Sequence, residues 1–205
     1  MKFHFRAAPA VRCASDRVAA QRRVVPWRRL LVSAVGVSGM LAASAGSAYA
    51  HQWGQWHWHR GGPAYLYVWN GMANTAIGEA ARRDIHNRPH PVYLFTSSSH
   101  TDISLLSTNA GATWGGLAEM IDYSYPHVTH AHATLNTYYY WSDIDAQGVM
   151  CQELAHTLGL EHAATGDCMA KTYFPGWTNF FGADSNSGGY SHPTGDLRDM
   201  YSTVK

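Results

Sequence analysis

Apolar residues recur along the chain with two different spacings, and the wider spacing predicts helices. Between residues 73 and 86 the apolar side chains lie four apart, as on one face of a helix, and Pro89 stops the pattern. A second helix is predicted from Ser142, whose side chain can cap its first turn, through to Leu158. A short closing helix is predicted over residues 196–203.

Shorter apolar runs, some of them alternating with polar residues, predict strands. The clearest alternation runs from His130 to Leu135, as expected of a half-buried strand. The predicted strands cover residues 66–69, 92–96, 103–106, 117–123 and 130–135. Together with the helices, they predict a single α+β domain with one sheet.

The first fifty residues have the composition of an export leader. They hold 8 of the 15 Lys and Arg residues but only one of the 14 acidic residues, Asp16. A short apolar segment at 30–42 is followed by Ala48-Tyr49-Ala50, the small-x-small pattern of a signal peptidase site. We therefore predict a signal peptide over 1–50 and a secreted, extracellular domain over 51–205. A membrane anchor is disfavoured because the apolar segment is shorter than about 18 residues.

The charge of the domain depends on removal of this leader. Residues 51–205 keep 15 − 8 = 7 basic and 14 − 1 = 13 acidic residues, a formal charge of −6 with histidine neutral. Such an acidic chain does not attract phosphate backbones, so nucleic acid is excluded as a partner. The domain has no second apolar run long enough to anchor it in a membrane, and we predict a monomer.

Two cysteines remain after position 50, Cys151 and Cys168. A pair of cysteines in an exported chain usually forms a disulfide, and a bridge closing so short a loop contributes on the order of 3 kcal/mol to stability. Two unpaired thiols are the alternative.

The segment from Gln152 to His162 carries the candidate chemistry. On a helix, residues 152 and 156 lie one above the other, about 5–6 Å apart, so both side chains can reach one metal ion. Glu153 is turned about 100° from them and lies beside the ion. Gly159 can adopt a positive φ, which ends the helix and lets His162 point into the same site. A zinc ion held there would polarise a peptide carbonyl and acidify water, with Glu153 as the general base and then the general acid.

These residues resemble the long zinc-binding motif of the metzincin peptidases, H-E-x-x-H-x-x-G-x-x-H followed by a Met-turn. Every defined position matches except the first, where Gln152 replaces histidine. Cys168-Met169 falls where the Met-turn would lie, which places Met169 beneath the metal. The chain is most similar to bacterial secreted matrixin-like proteins, in which a Cys-Gln-Glu start to the helix and a Cys-Met turn recur.

The resemblance implies a zinc endopeptidase that acts on proteins or peptides. It implies a single metzincin-like domain, with a mixed sheet packed on an active-site helix and a second helix. Zn²⁺ would be held by His156 and His162, with Gln152 as the third ligand and Glu153 as the catalytic residue.

Gln152 leaves three interpretations open, because an amide is a poorer zinc ligand than imidazole. It ligates through its carbonyl oxygen, or a water takes its place, or the site has lost catalysis. The presence of Glu153 argues against loss, since a site without activity has no use for a buried carboxylate near a metal.

Other histidines are ascribed lesser roles. His130 and His132 share one face of a strand, where they would bind a second, structural metal, line a sheet edge that accepts a peptide, or be solvated polar residues, the interpretation we favour. His57 and His59 alternate with tryptophans in a packed N-terminal strand. His127 lies in a turn-like context and is given no function.

Two rival functions follow from other features of the sequence. Cleavage after residue 50 would leave His51 at the N-terminus, where a histidine can help bind copper in polysaccharide oxygenases. The 7 Trp and 11 Tyr after residue 50 would suit a non-catalytic module that stacks on sugars or peptides. Aromatic residues more commonly fill the core, which is the use we predict for them.

Overall fold

The protein is described by a computed structural model over residues 2–4, 53–59, 63–98, 101–162, 168–169 and 192–202. Residues 1–8 with 49–205 form one compact unit and residues 9–48 another, and every described residue belongs to the first. The predicted signal peptide therefore lies outside the described residues, apart from Lys2–His4. No helix in the described ranges is long and apolar enough to cross a membrane.

Seven strands and three helices make up the described part. In chain order they are β1 Lys2–His4, β2 His57–Trp58, β3 Ala64–Asn70, α1 Thr75–His86, β4 Val92–Thr96, β5 Ile103–Thr108, β6 Gly116–Ser124, β7 His127–Asn136, α2 Asp143–Thr157 and α3 His192–Ser202.

The strands form one sheet in the order β1-β6-β7-β5-β3-β4, and β2 pairs with the start of β7. The strands β4, β3, β5 and β7 are parallel, as is β2 with β7. The strand β6 is antiparallel to β7, and β1 is antiparallel to β6. The prediction of one mixed sheet is confirmed. Its largely parallel strands, with α1 between β3 and β4, give an α/β character that the α+β prediction did not include.

The sheet buries one face against the helices. Along β3, Ala64, Leu66 and Val68 are buried, and the residues between them are exposed. The apolar face predicted for α1 is buried as well, and α1 packs against α2 and against the sheet. The hydrophobic core therefore lies between the helices and this face of the sheet.

The helix α2 runs through the core and carries the candidate site. Every residue from Gly148 to Thr157 is buried, so this part of α2 is covered on all sides and is not a surface helix with one apolar stripe. The helix begins as predicted, because the Ser142 side chain accepts a hydrogen bond from the Asp145 N–H. Asp143 and Asp145 in the first turn complement the helix dipole.

Two buried aromatic residues hold the end of α2 in place. The Trp58 indole N–H donates to the Thr157 carbonyl at 2.8 Å, and the Tyr201 hydroxyl donates to the Leu158 carbonyl at 3.0 Å. The Tyr201 oxygen also accepts from the Trp58 backbone N–H at 3.2 Å. The helix α3 carries Tyr201 and begins at His192, four residues earlier than predicted. Both β2 and α3 therefore fasten the segment from which the site is built.

Candidate active site

The turn after α2 brings His156 and His162 together. The chain leaves the helix at Leu158, and Gly159 has φ of 93°, the left-handed conformation that reverses the chain. A Cβ at position 159 would overlap the Trp56 carbonyl oxygen, so glycine is required for space as well. The Nε2 atoms of His156 and His162 lie 3.2 Å apart, with their ring planes at 85°.

The hydrogen bonding of His156 fixes which of its nitrogens faces His162. Nδ1 lies 2.7 Å from the Leu160 carbonyl oxygen, which only accepts, so Nδ1 carries the proton and Nε2 carries the lone pair. Burial, and secondarily the neighbouring His162, lower the pKa of His156 to about 3. The imidazole is therefore neutral near pH 7, which is the form that binds metals.

Glu153 is buried on the same helix as His156, under the strand β6. Its side chain is 1% exposed, and burial raises its pKa well above the usual value, although the Ala118 backbone N–H partly opposes the shift. A Cβ at Gly116 would overlap the carboxylate, so the backbone of β6 lies directly over it. Within the described residues Oε1 has no hydrogen-bond partner. Such an atom is rare in a core, and it marks a position where a proton, water or ion binds.

Gln152 lies one helical turn before His156 and is also buried, at 3% exposed. The helical repeat places the two side chains on one face of α2. Its assignment as a zinc ligand stays a prediction.

The predicted disulfide between Cys151 and Cys168 is confirmed, with the Cα atoms 6.0 Å apart. It ties the middle of α2 to the segment that holds Met169, whose side chain is buried in the core. The prediction that Met169 lies beneath a metal is not tested by this placement.

A residue that the sequence did not single out completes the site. The Trp53 backbone N–H donates to the Gly159 carbonyl at 2.9 Å, and the Trp53 ring centroid lies 4.5 Å from that of His156 and 6.1 Å from that of His162. The segment before β2 therefore covers the histidine pair. Only the unusual density of tryptophan around position 53 hinted at a function for this segment.

The donors present fit a zinc ion. Two imidazoles lie 3.2 Å apart, close to the separation of two nitrogens that are each about 2.0–2.1 Å from one zinc. The buried Gln152 amide lies on the same helix, as does the Glu153 carboxylate, whose Oε1 has no hydrogen-bond partner among the described residues. In the described ranges no three His, Cys, Asp or Glu side chains are placed to hold one metal ion.

The remaining sequence predictions have mixed outcomes. His130 and His132 lie on β7, which has neighbours on both sides, so the sheet-edge prediction is wrong. They are half-buried on the outer face of the sheet, which suits solvated polar residues. His51 lies outside the described residues.

Within the described part of the chain the aromatic residues do not mainly fill the core, contrary to the prediction. Of the described Trp, Tyr and Phe side chains, only Trp58 and Tyr201 are buried. Several others lie on the outer face of β3 and β4, where the Tyr65 and Tyr93 rings stack with centroids 5.3 Å apart.

Comparisons with known proteins add a limited similarity of structure. No protein family matches the sequence, and no characterised protein is similar enough to match. Among solved structures, the chain is similar to that of myroilysin, with 13% identity and a TM-score of 0.38. The match spans 54% of this chain and 54% of that chain, about half of each. At this identity and TM-score, the function has to be inferred from the residues of the site.

Proposed function

We propose that the domain is a secreted zinc-dependent endopeptidase of the metzincin type, which hydrolyses peptide bonds in proteins or peptides. The observation that carries the proposal is the convergence of the His156 and His162 imidazoles at the end of a helix that also holds the buried Glu153 carboxylate, whose Oε1 has no hydrogen-bond partner among the described residues. Zn²⁺ would be held by His156 and His162, with the Gln152 amide oxygen as the third protein ligand. When bound, the ion supplies a Lewis acid that polarises the scissile carbonyl and lowers the pKa of water.

Glu153 transfers the proton. Oε1, which is buried and has no hydrogen-bond partner among the described residues, is the atom that would take the proton from the attacking water. The water oxygen bonds to the carbonyl carbon, the carbon–nitrogen bond breaks, and Glu153 gives the proton to the departing amine. Burial under β6 keeps bulk water from this carboxyl group.

The pairing of β1 with β6 supports a peptide as the substrate. Residues Lys2–His4 pair antiparallel with Leu117, Ala118 and Glu119, so the outer side of β6 accepts an extended segment. The same Ala118 has its N–H beside the Glu153 carboxylate. Once the predicted leader is removed, the free N–H and C=O groups of β6 are available to an extended substrate, which would lie across the catalytic carboxylate.

Replacement of Glu153 tests the proposal. Mature protein, residues 51–205, is incubated with an unfolded protein substrate, and new N-termini are counted. Glu153→Gln keeps the shape and removes the base, so cleavage falls by at least about 100-fold while bound zinc is unchanged. Glu161→Gln, an exposed carboxylate of the same segment, is the matched control and keeps the wild-type rate. Zinc-loaded wild type that cleaves nothing, or Glu153→Gln that cleaves normally, would overturn the proposal.

A non-catalytic binding module is the second candidate, favoured by the exposed aromatic residues on β3 and β4. Tyr65, Tyr67 and Trp69 project from one face of β3 with 53%, 43% and 42% of their surface exposed. Under this alternative, Tyr65→Ala abolishes binding to a sugar or peptide ligand, and Glu153→Gln changes nothing. Under the peptidase proposal, Tyr65→Ala leaves cleavage of a short peptide intact.

A further inference from the structure

Three histidines from two distant segments of the sequence meet on the surface of the domain. The ring centroids of His59 and His127 lie 4.2 Å apart, and those of His57 and His127 lie 5.0 Å apart. His59 Nδ1 and His127 Nε2 are separated by 3.2 Å. None of the three has a part in the proposed peptidase site.

The pairing of β2 with β7 creates this cluster. The strands are parallel, with His57 beside His127 and Trp58 beside Val128. Trp58 and Val128 are both buried, so they fix the register from the core side. Alternate residues of a strand point to opposite faces, and the histidines on either side of Trp58 therefore share the outer face.

We propose that His57, His59 and His127 form a second metal site, which takes Zn²⁺ or another divalent transition metal. The 3.2 Å between His59 Nδ1 and His127 Nε2 is close to the spacing of two nitrogens bound to one ion at about 2.0–2.1 Å. His57 Nδ1 donates to the Gln55 carbonyl at 2.7 Å, which leaves Nε2 as its ligand atom. This backbone bond to the other ring nitrogen is typical of metal-binding histidines.

The third imidazole of this site still has to be brought into place. In the described part of the chain no three such side chains already surround one point, so His57 has to rotate to complete the set. His57 is half-buried, and the rotation has to keep the hydrogen bond from Nδ1 to the Gln55 carbonyl, which leaves Nε2 as the ligand atom. An imidazole-only set selects zinc, copper or nickel over magnesium and calcium.

A metal here would fasten the N-terminal segment to the sheet. Trp53, four residues before His57, contacts His156 in the proposed active site. An ion bridging His57 or His59 to His127 would therefore stabilise the segment that covers the catalytic histidines, and would stabilise the folded state in proportion to its occupancy.

Metal stoichiometry of the mature protein tests this proposal. Purified protein is dialysed against Zn²⁺ at pH 7.5, and bound zinc per chain is measured. We expect two zinc ions in the wild type and one in His59→Ala or His127→Ala. In these variants the zinc affinity of the surface site should be reduced by at least about 10-fold. His130→Ala, which removes a histidine of the same strand outside the cluster, is the matched control and keeps both ions.

The result separates this site from the proposed peptidase site. If His156→Ala leaves one ion and His127→Ala leaves the other, both sites exist. If wild type binds a single ion that only His127→Ala removes, the surface site stands and the peptidase site fails. Equal zinc in wild type and in folded His59→Ala and His127→Ala variants would overturn the proposal, as would loss in His130→Ala. Should either variant fail to fold, Cu²⁺ added to labelled wild type must broaden the His59 and His127 ring signals before that of His130.

Discussion

Replacing Gly159 with alanine perturbs the turn that brings His162 to His156. Gly159 has φ of 93°, and a Cβ there would overlap the Trp56 carbonyl oxygen, a backbone atom that cannot rotate away. The substitution therefore imposes backbone strain and a steric clash at the same position. Either response, a changed φ or a displaced Trp56, would alter the path of the chain towards His162.

The backbone strain and the steric clash each have a cost that can be estimated separately. An alanine in the left-handed region costs about 1–2 kcal/mol, and relieving an overlap in a packed site costs about a further 1–3 kcal/mol. Gly159→Ala should lower the free energy of unfolding by about 2–5 kcal/mol. Gly111 also has a positive φ, 67°, but no atom lies within 4 Å of its added Cβ. Gly111→Ala should therefore cost only about 1–2 kcal/mol.

Urea unfolding of both variants measures the difference, with zinc affinity as the second readout. We expect Gly159→Ala to be the less stable and to bind zinc more weakly than wild type, because its His162 is displaced. Gly111→Ala should bind zinc as wild type does. Equal stability losses in the two variants, or wild-type zinc affinity in Gly159→Ala, would refute the account of this turn.

Three other predictions concern stability and metal affinity. The pKa of buried His90 is lowered to about 4, mainly by burial. Between pH 6.5 and 4 the unfolded chain therefore binds a proton that the folded chain does not, and the free energy of unfolding falls with pH by on the order of 3 kcal/mol. In urea titrations across this range His90→Gln should lose less stability than wild type, and equal losses would contradict the prediction. Reduction of the bond between Cys151 and Cys168 should lower the free energy of unfolding by about 3 kcal/mol, whereas an unchanged unfolding midpoint would show that the bridge does not constrain the unfolded chain. Gln152→His should bind zinc at least about 10-fold more tightly by calorimetry, because imidazole is the stronger ligand, and unchanged affinity would mean that residue 152 does not contact the ion.

Local patterns predicted the elements that form the core. The strand β4 was predicted at its observed bounds, Val92–Thr96. A short apolar run between turn residues is typical of a buried strand. The start of α3 was missed, although Pro193 at its second residue is a known signal for a first helical turn. The weak apolar pattern before Leu197 explains the error.

Contacts between distant segments could not be predicted in this way. The cover of β6 over Glu153 and the packing of Trp53 on His156 both join residues far apart in sequence. The contacts of His127 with His57 and His59 were missed for the same reason. Its partner strand β2 is only two residues long, so the parallel pairing leaves no periodic pattern in the sequence.

The location of bound zinc is the most direct test of the proposed active site. Crystals of mature protein grown with zinc would give anomalous differences at the zinc absorption edge. The account predicts a peak about 2.0–2.1 Å from Nε2 of both His156 and His162, with the Gln152 amide oxygen as the next protein atom. Zinc-saturated crystals with no anomalous peak between these two imidazoles would contradict it.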